Sequence, residues 1–174
     1  TSMPEDTEKG QIILRPMTLA DLDQVVAIDR VSFPTPWPKD AFLYEIRRKR
    51  GSVCWVAEDI EPGGDGTLAA SIVIWLILEE AHIGTLAVRP GYRRQKIAQK
   101  ILARSLMEAY QRGARWALLE VRETNQSAQR LYRKFGFQAV GLRHDYYKDT
   151  HEDAILMTLA VIDPLELAQL EEGG

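Results

Sequence analysis

The sequence predicts a single mixed α/β domain of seven strands and four helices. Three observations carry this. Apolar spacing switches along the chain between a period of two and a period near 3.6. Turn and cap residues fall at the switches, which gives the order β-α-α-β-β-β-α-β-α-β-β. At 174 residues, 45% apolar and 27% charged, the chain has the size and balance of one globular core.

The elements follow in order. Residues 1–10 are polar and acidic and are expected to form a disordered segment, without the basic start and apolar middle of a signal peptide. Gln11 to Arg15 reads as a strand. Thr18 and Asp21 form a capping-box pattern before a helix whose apolar face is Leu22, Val25 and Val26. Pro34, Pro36 and Pro38 interrupt the chain, and Pro38 suits the first turn of a second helix carrying Phe42 and Ile46. Val53 to Glu58 and Leu68 to Leu78 are strands separated by the turn cluster EPGGDG, so they pair as a hairpin. Ala81 to Val88 is a further strand, ended by Arg89-Pro90-Gly91.

From Arg94 to Arg112 the period becomes helical, with Ala98, Ile101, Leu102, Leu106 and Ala109 on one face and Gly113 as the stop. Trp116 to Arg122 is a strand. Asn125 to Phe135 is a helix with Ala128, Leu131, Tyr132 and Phe135 on one stripe, stopped by Gly136. Phe137 to Arg143 and Ala154 to Leu159 are the last strands. Residues 161–174 form a tail that reads as a marginal helix or a frayed end. Residues 11–160 are therefore the expected domain.

Composition excludes several classes. A net charge of −3 does not suit a protein built for nucleic acid. No apolar run approaches the ~20 residues that span a bilayer. A lone cysteine, Cys54, offers neither a disulfide nor a metal-ligand spacing, and its apolar surroundings mark it as an inert buried thiol. No metal is expected. These features fit a cytoplasmic protein, and a monomer is the favoured state.

The chemistry concentrates in two segments. In GTLAVRPGYRRQKIAQKILARSL a strand runs through a turn into a helix. The start of such a helix exposes N–H groups at the positive end of its dipole, which suits phosphate. Arg93, Lys96, Lys100 and Arg104 recur at helical spacing. They form either a phosphate-holding side or an ordinary solvated basic face. In WALLEVRETNQSAQRLYRKFGF, alternation puts Leu118, Glu120 and Arg122 on one strand face and Leu119 and Val121 on the other. Glu120 is either a working carboxylate or a strand-end partner of Arg122 or another cation. Tyr132 sits on an apolar stripe and is open to plain packing as well as chemistry. Asn125 suits an N-terminal cap.

The first segment resembles the acetyl-CoA motif of the GNAT superfamily, R/Q-x-x-G-x-G/A, here Arg93-Arg94-Gln95-Lys96-Ile97-Ala98. The second resembles the RimI-type branch of that family, the ribosomal-protein-alanine N-acetyltransferases. LEVR followed by N-x-x-A-x-x-LY-x-x-x-GF carries that likeness, with FPTPWP, EEAHIGTLAV, GLRHDYY and EDAILM elsewhere. The resemblance covers residues 11 to 160. It implies a GNAT fold with a mostly antiparallel sheet, and acetyl-CoA as cosubstrate. It implies that the strand Leu86-Ala87-Val88 bonds the pantetheine arm, and that the loop Arg94, Gln95, Lys96, Ile97, Ala98 and Gln99, preceded by Arg93, wraps the pyrophosphate. It assigns Glu120 as general base, Tyr132 as general acid, and a CoA contact to Asn125. One position departs from the pattern: Lys96 stands where the family has glycine, a residue that allows close approach and unusual dihedrals.

The implied reaction is acetyl transfer to a protein N-terminal amine, in the branch the N-terminal alanine of a small-subunit ribosomal protein. Other readings are transfer to a lysine or a small-molecule amine, or a non-catalytic interaction module. Glu80 and His82 stand as rival bases on the strand before the loop. Tyr146 and Tyr147 are candidates for one wall of the substrate mouth, and Phe33, Pro34 and Trp37 for the other.

Overall fold

The computed structural model describes residues 11–60 and 66–173. The expected disordered segment 1–10 and most of the EPGGDG turn lie outside the described residues. Seven strands form one sheet: β1 (Ile12–Pro16), β2 (Ser52–Asp59), β3 (Thr67–Ile77), β4 (Glu80–Val88), β5 (Trp116–Arg122), β6 (Gln138–Tyr147) and β7 (Glu152–Leu159), in the order β1-β2-β3-β4-β5-β7-β6. All neighbours are antiparallel except β4 and β5. Five α-helices cover the sheet: α1 (Leu22–Ser32), α2 (Lys39–Arg47), α3 (Ile97–Gln111), α4 (Gln126–Lys134) and α5 (Pro164–Glu171).

The sheet divides the core in two. On one face α1 and α2 bury Val25, Val26, Ile28 and Phe42 against Val56, Leu68, Val73 and Ala87. On the other, α3 and α4 bury Ile97, Ile101, Leu102, Leu106 and Tyr132 against Ile72, Ile74, Leu119 and Met157. The alternation of β5 matches this: Ala117, Leu119 and Val121 are buried, while Leu118, Glu120 and Arg122 are only half-buried. Cys54 is a free thiol that burial, then the charges of Glu45 and Glu108, push up to about 12, so it is inert.

The entry to α1 is the capping box. Asp21 accepts the Thr18 backbone N–H at 2.8 Å and takes both Arg15 guanidinium nitrogens at 2.7 and 2.8 Å. Pro38 lies one residue outside α2, as its cap rather than in its first turn.

Two differences from the sequence reading bear on the site. Helix α3 begins at Ile97, three residues later than the period suggests, because Arg94 and Lys96 are left-handed at φ 65° and 58° and end any helical run there. The tail is an ordered helix. Asp163 caps α5 through the Leu165 N–H, and Ile162 and Leu167 are buried under α3. Gln99 donates to the Leu170 carbonyl at 2.8 Å and Arg104 pairs with Glu171. The tail looked marginal because its docking surface is on α3, far away in sequence.

The feature that places the site is in β4. Ile74 pairs with Ile83, but Val73 pairs with Thr85, so Gly84 is an extra residue and forms a bulge. The bulge reverses the parity of the strand. Ile83 faces the α3 side of the core, whereas the Thr85 hydroxyl reaches Asp29 of α1 at 2.9 Å. Just before the bulge the parallel pairing of β4 with β5 stops. It covers Glu80–Trp116, Ala81–Ala117 and His82–Leu118, and beyond these the strands part.

Two outcomes are expected. Asp21→Ala should lower stability by about 2 kcal/mol at neutral pH, from loss of a cap and charge-assisted bonds. Arg15 and the Thr18 bonds depress the Asp21 pKa against the opposing effect of burial. Its contribution is therefore present above the unfolded value of about 3.9 and fades as pH falls through the folded one. Urea melts at neutral and acid pH should show the wild-type advantage shrinking on acidification. Gly84→Ala should cost roughly 1–3 kcal/mol by overpacking, because a Cβ there would lie 3.0 Å from both the Trp37 and Trp75 rings. Thermal melts and a change in tryptophan emission check this.

Candidate active site

The parting of β4 and β5 opens a cleft of about 370 Å³. Its floor is Ile83–Leu86 on one strand and Leu119–Arg122 on the other, with Asn125, Ala128 and Tyr132 of the α4 region beside them. Phe33, Thr35 and Trp37 form one wall of the mouth and Tyr146, Tyr147, Lys148 and Asp149 the opposite wall. Glu120 and Tyr132 therefore meet in one cavity, and both expected aromatic walls line it. Pro34 does not reach the cleft lining.

Glu120 is half-buried, and its Oε2 lies 2.7 Å from His82 Nε2. That hydrogen bond is the largest influence on the carboxyl. Together with the charges of His82 and Arg143 it outweighs burial and lowers the Glu120 pKa. The carboxylate is ionised at neutral pH. Its partner is His82 and not Arg122, which instead binds Asp149 at 2.9 and 3.2 Å and stacks its guanidinium 3.9 Å from the Tyr147 ring centroid. Glu80 lies outside the cleft lining, at the paired end of β4 opposite Trp116.

Tyr132 is almost fully buried and packs edge-on against Phe137 at 5.6 Å. Burial, then the nearby Tyr147, pushes its pKa well up. The hydroxyl keeps its proton at neutral pH. Packing and a place in the cleft coexist in this residue. Asn125 does cap α4, accepting the Ala128 N–H at 3.2 Å, and also lines the cleft.

Of the other residues expected to hold the cofactor, Leu86 lines the cleft. Ala87 turns into the core under α1, and Val88 is partly buried. Arg93, Arg94, Gln95 and Lys96 form the exposed turn before α3, while Ile97 is buried in the core, Gln99 is buried against α5 and Ala98 is half-buried. Their backbone, at the start of α3, is what such a turn offers to a diphosphate. Lys96 adopts the left-handed conformation that glycine would take, and its Nζ turns to the Gly173 carbonyl at 2.8 Å. With Arg104 on Glu171, half of the basic stripe fastens α5. These two side chains are therefore tied to the C-terminal segment, a use that neither the solvated face nor the phosphate reading anticipates.

Three features were missed in the sequence. Asp29 is fully buried, accepts the Trp37 N–H at 2.6 Å and the Thr85 hydroxyl, and so anchors the mouth loop to β4. Its signal was available, since an aspartate directly follows buried Ile28 on the inward face of α1. Thr35 donates to Asp149 at 2.7 Å, joining the two mouth walls. Trp75 stacks on Trp37 at 5.4 Å and meets His82 edge-on at 5.1 Å. Neither pairing leaves a local pattern. Among the described residues no group of three or more His, Cys, Asp or Glu stands together as a metal site, and no helix is long and apolar enough to cross a membrane.

Residues 22–137 match the model of the acetyltransferase (GNAT) family. A protein of Bacillus subtilis (strain 168), provisionally named a [ribosomal protein bS18]-alanine N-acetyltransferase, is 36% identical over 153 residues, covering 88% of this chain and 98% of that protein. The solved ribosomal-protein-S18-alanine N-acetyltransferase of Escherichia coli superposes with a TM-score of 0.76 at 27% identity, over 88% of this chain and 96% of that one. Arabidopsis thaliana NAA60, solved in complex with acetyl-CoA, shares the fold at a TM-score of 0.77 and 24% identity, over 86% and 98% of the two chains. The protein belongs to the GNAT acetyltransferase family, on its RimI-type branch, and is an acetyl-CoA-dependent N-acetyltransferase.

Proposed function

We propose that the protein acetylates the α-amine of a protein N-terminus, with the N-terminal alanine of ribosomal protein bS18 as its substrate. The observation that carries this is the meeting of an ionised Glu120 and a protonated, buried Tyr132 in one cleft. The names of the Bacillus subtilis and Escherichia coli relatives support the choice of acceptor.

The incoming ammonium loses a proton toward Glu120, and the freed lone pair attacks the thioester carbonyl. The tetrahedral intermediate loses a second proton from nitrogen and expels the thiolate of CoA. Tyr132 donates to the departing sulfur and is reprotonated at the expense of the second nitrogen proton, while Glu120 passes the first to solvent, so each turnover releases one proton. The residues from Leu86 to Val88 hold the pantetheine arm, and Arg93 to Gln99 hold the diphosphate, mostly by backbone.

The low pKa of Glu120 favours an α-amine over lysine. At pH 7 an α-amine with pKa near 8 is already about one-tenth neutral, whereas a lysine near 10.4 is neutral in only about one molecule in a few thousand. A carboxylate held in its ionised form by His82 is a weak base and suits the easier task. On this reading the protein works in the cytoplasm as a monomer, with no direct nucleic-acid or membrane contact.

The test is acetyl transfer from acetyl-CoA to peptides that begin with different residues, each with a free and a blocked α-amine, read by mass spectrometry. Free peptides beginning with alanine should be acetylated. Acetylation confined to blocked, lysine-bearing peptides would overturn the assignment. Glu120→Gln and Tyr132→Phe should each lower kcat by ~100-fold or more with the melting temperature nearly unchanged. Wild-type turnover in both variants would place the roles elsewhere.

A further inference from the structure

We infer that His82 is a positioning residue for the transfer, fixing the Glu120 carboxylate in one orientation toward the acceptor amine. The inference rests on the reading of Glu120 as the base.

An ionised carboxylate only accepts hydrogen bonds. The Nε2 of His82, 2.7 Å from Glu120 Oε2, must therefore carry the hydrogen. Nε2, already protonated and bonded to Glu120, cannot take a proton from the substrate, and the rest of the ring does not line the cleft. This separates the roles of two residues that the sequence left as rivals: the group facing the cleft is Glu120, and His82 stands behind it, outside the cleft lining. Holding Oε2 leaves the second carboxylate oxygen for the amine.

The imidazole is itself held. His82 is the last residue of β4 paired to β5, so its backbone is fixed where the strands begin to part. Its ring meets the Trp75 edge at 5.1 Å and 83°. Trp75 is pinned in turn by its indole N–H on Glu45 Oε1 at 2.8 Å and by stacking on Trp37. Glu45 is buried and also takes the Ser52 hydroxyl. A chain of directed contacts runs from α2 through β3 and β4 to the carboxylate on β5. Such preorganisation keeps a base within hydrogen-bond reach of its target.

The experiment is steady-state kinetics with a free peptide beginning with alanine, for wild type, His82→Ala, His82→Gln, Glu120→Gln and the double variant His82→Ala/Glu120→Gln. His82→Met, similar in bulk and without a donor, replaces His82→Ala if the latter does not fold. The expected result is a kcat for His82→Ala about tenfold down, short of the ~100-fold that loss of the base brings, with KM for acetyl-CoA unchanged. His82→Gln, whose amide N–H reaches the same oxygen, should recover most of it. The double variant should be no slower than Glu120→Gln alone, because His82 acts through Glu120. Wild-type kcat in the donor-less variant, or full additivity in the double variant, overturns the inference while a slow Glu120→Gln leaves the base reading standing. A wild-type rate for Glu120→Gln overturns the base reading itself.

Discussion

The structure depends on one constraint: β4 and β5 run side by side in parallel for three residue pairs and then separate. A single inserted residue, Gly84, lies at that point. Had the ladder continued, their facing backbone groups would be consumed by each other, and no cleft would exist. Because it stops, Ile83–Leu86 and Leu119–Arg122 face an open space that a pantetheine arm with its own amides can fill. The same bulge sends Ile83 into one core and Thr85 toward Asp29 under the other. The floor of the cleft and the anchor of its mouth therefore share one cause.

Glycine is required there by space. Trp37 and Trp75 pack over the place a Cβ would occupy, since one built there would lie only 3.0 Å from each ring. Order passes outward from there, to the loop of Phe33–Trp37 through the Trp37 backbone N–H on Asp29, and to Glu120 through the Trp75 ring and His82. The opposite problem arises at Lys96. That residue must be left-handed for the turn into α3, and the chain places a lysine there with its side chain swung onto the end of α5. The αL strain of a non-glycine residue, about 1 kcal/mol, is tolerable where neighbouring contacts hold the turn.

What the sequence made legible was whatever repeats locally. The order of strands and helices, the alternation on β5, the cap at Asn125 and the stops at Gly113 and Gly136 all leave short-range marks. Glu120, Tyr132, Asn125 and Leu86 were found through a local motif, and the fold brings all four to the cleft. What was not legible was pairing across distance. His82 and Glu120 are 38 positions apart, Thr35 and Asp149 are 114, and Lys96 and Gly173 are 77. From sequence, His82 looks like a competitor of Glu120, Arg122 is one of the cations open to pair with it, and the tail reads as a marginal helix or a frayed end. The contacts that bear on each are made by strands and helices that become neighbours only in the fold. The later start of α3 has the same origin, since periodicity records buried faces and not the backbone sign of Arg94 and Lys96.

The most direct measurement is a crystal structure of the protein with CoA and an acetylated peptide beginning with alanine. Glu120 as base and Tyr132 as acid require the CoA sulfur and the acetyl group between the parted strands, with the amide nitrogen within hydrogen-bond reach of Glu120, directly or through one water, and the Tyr132 hydroxyl beside the sulfur. Sulfur and acetyl group lying outside that cleft, or a peptide nitrogen on the far side from Glu120, would contradict those roles.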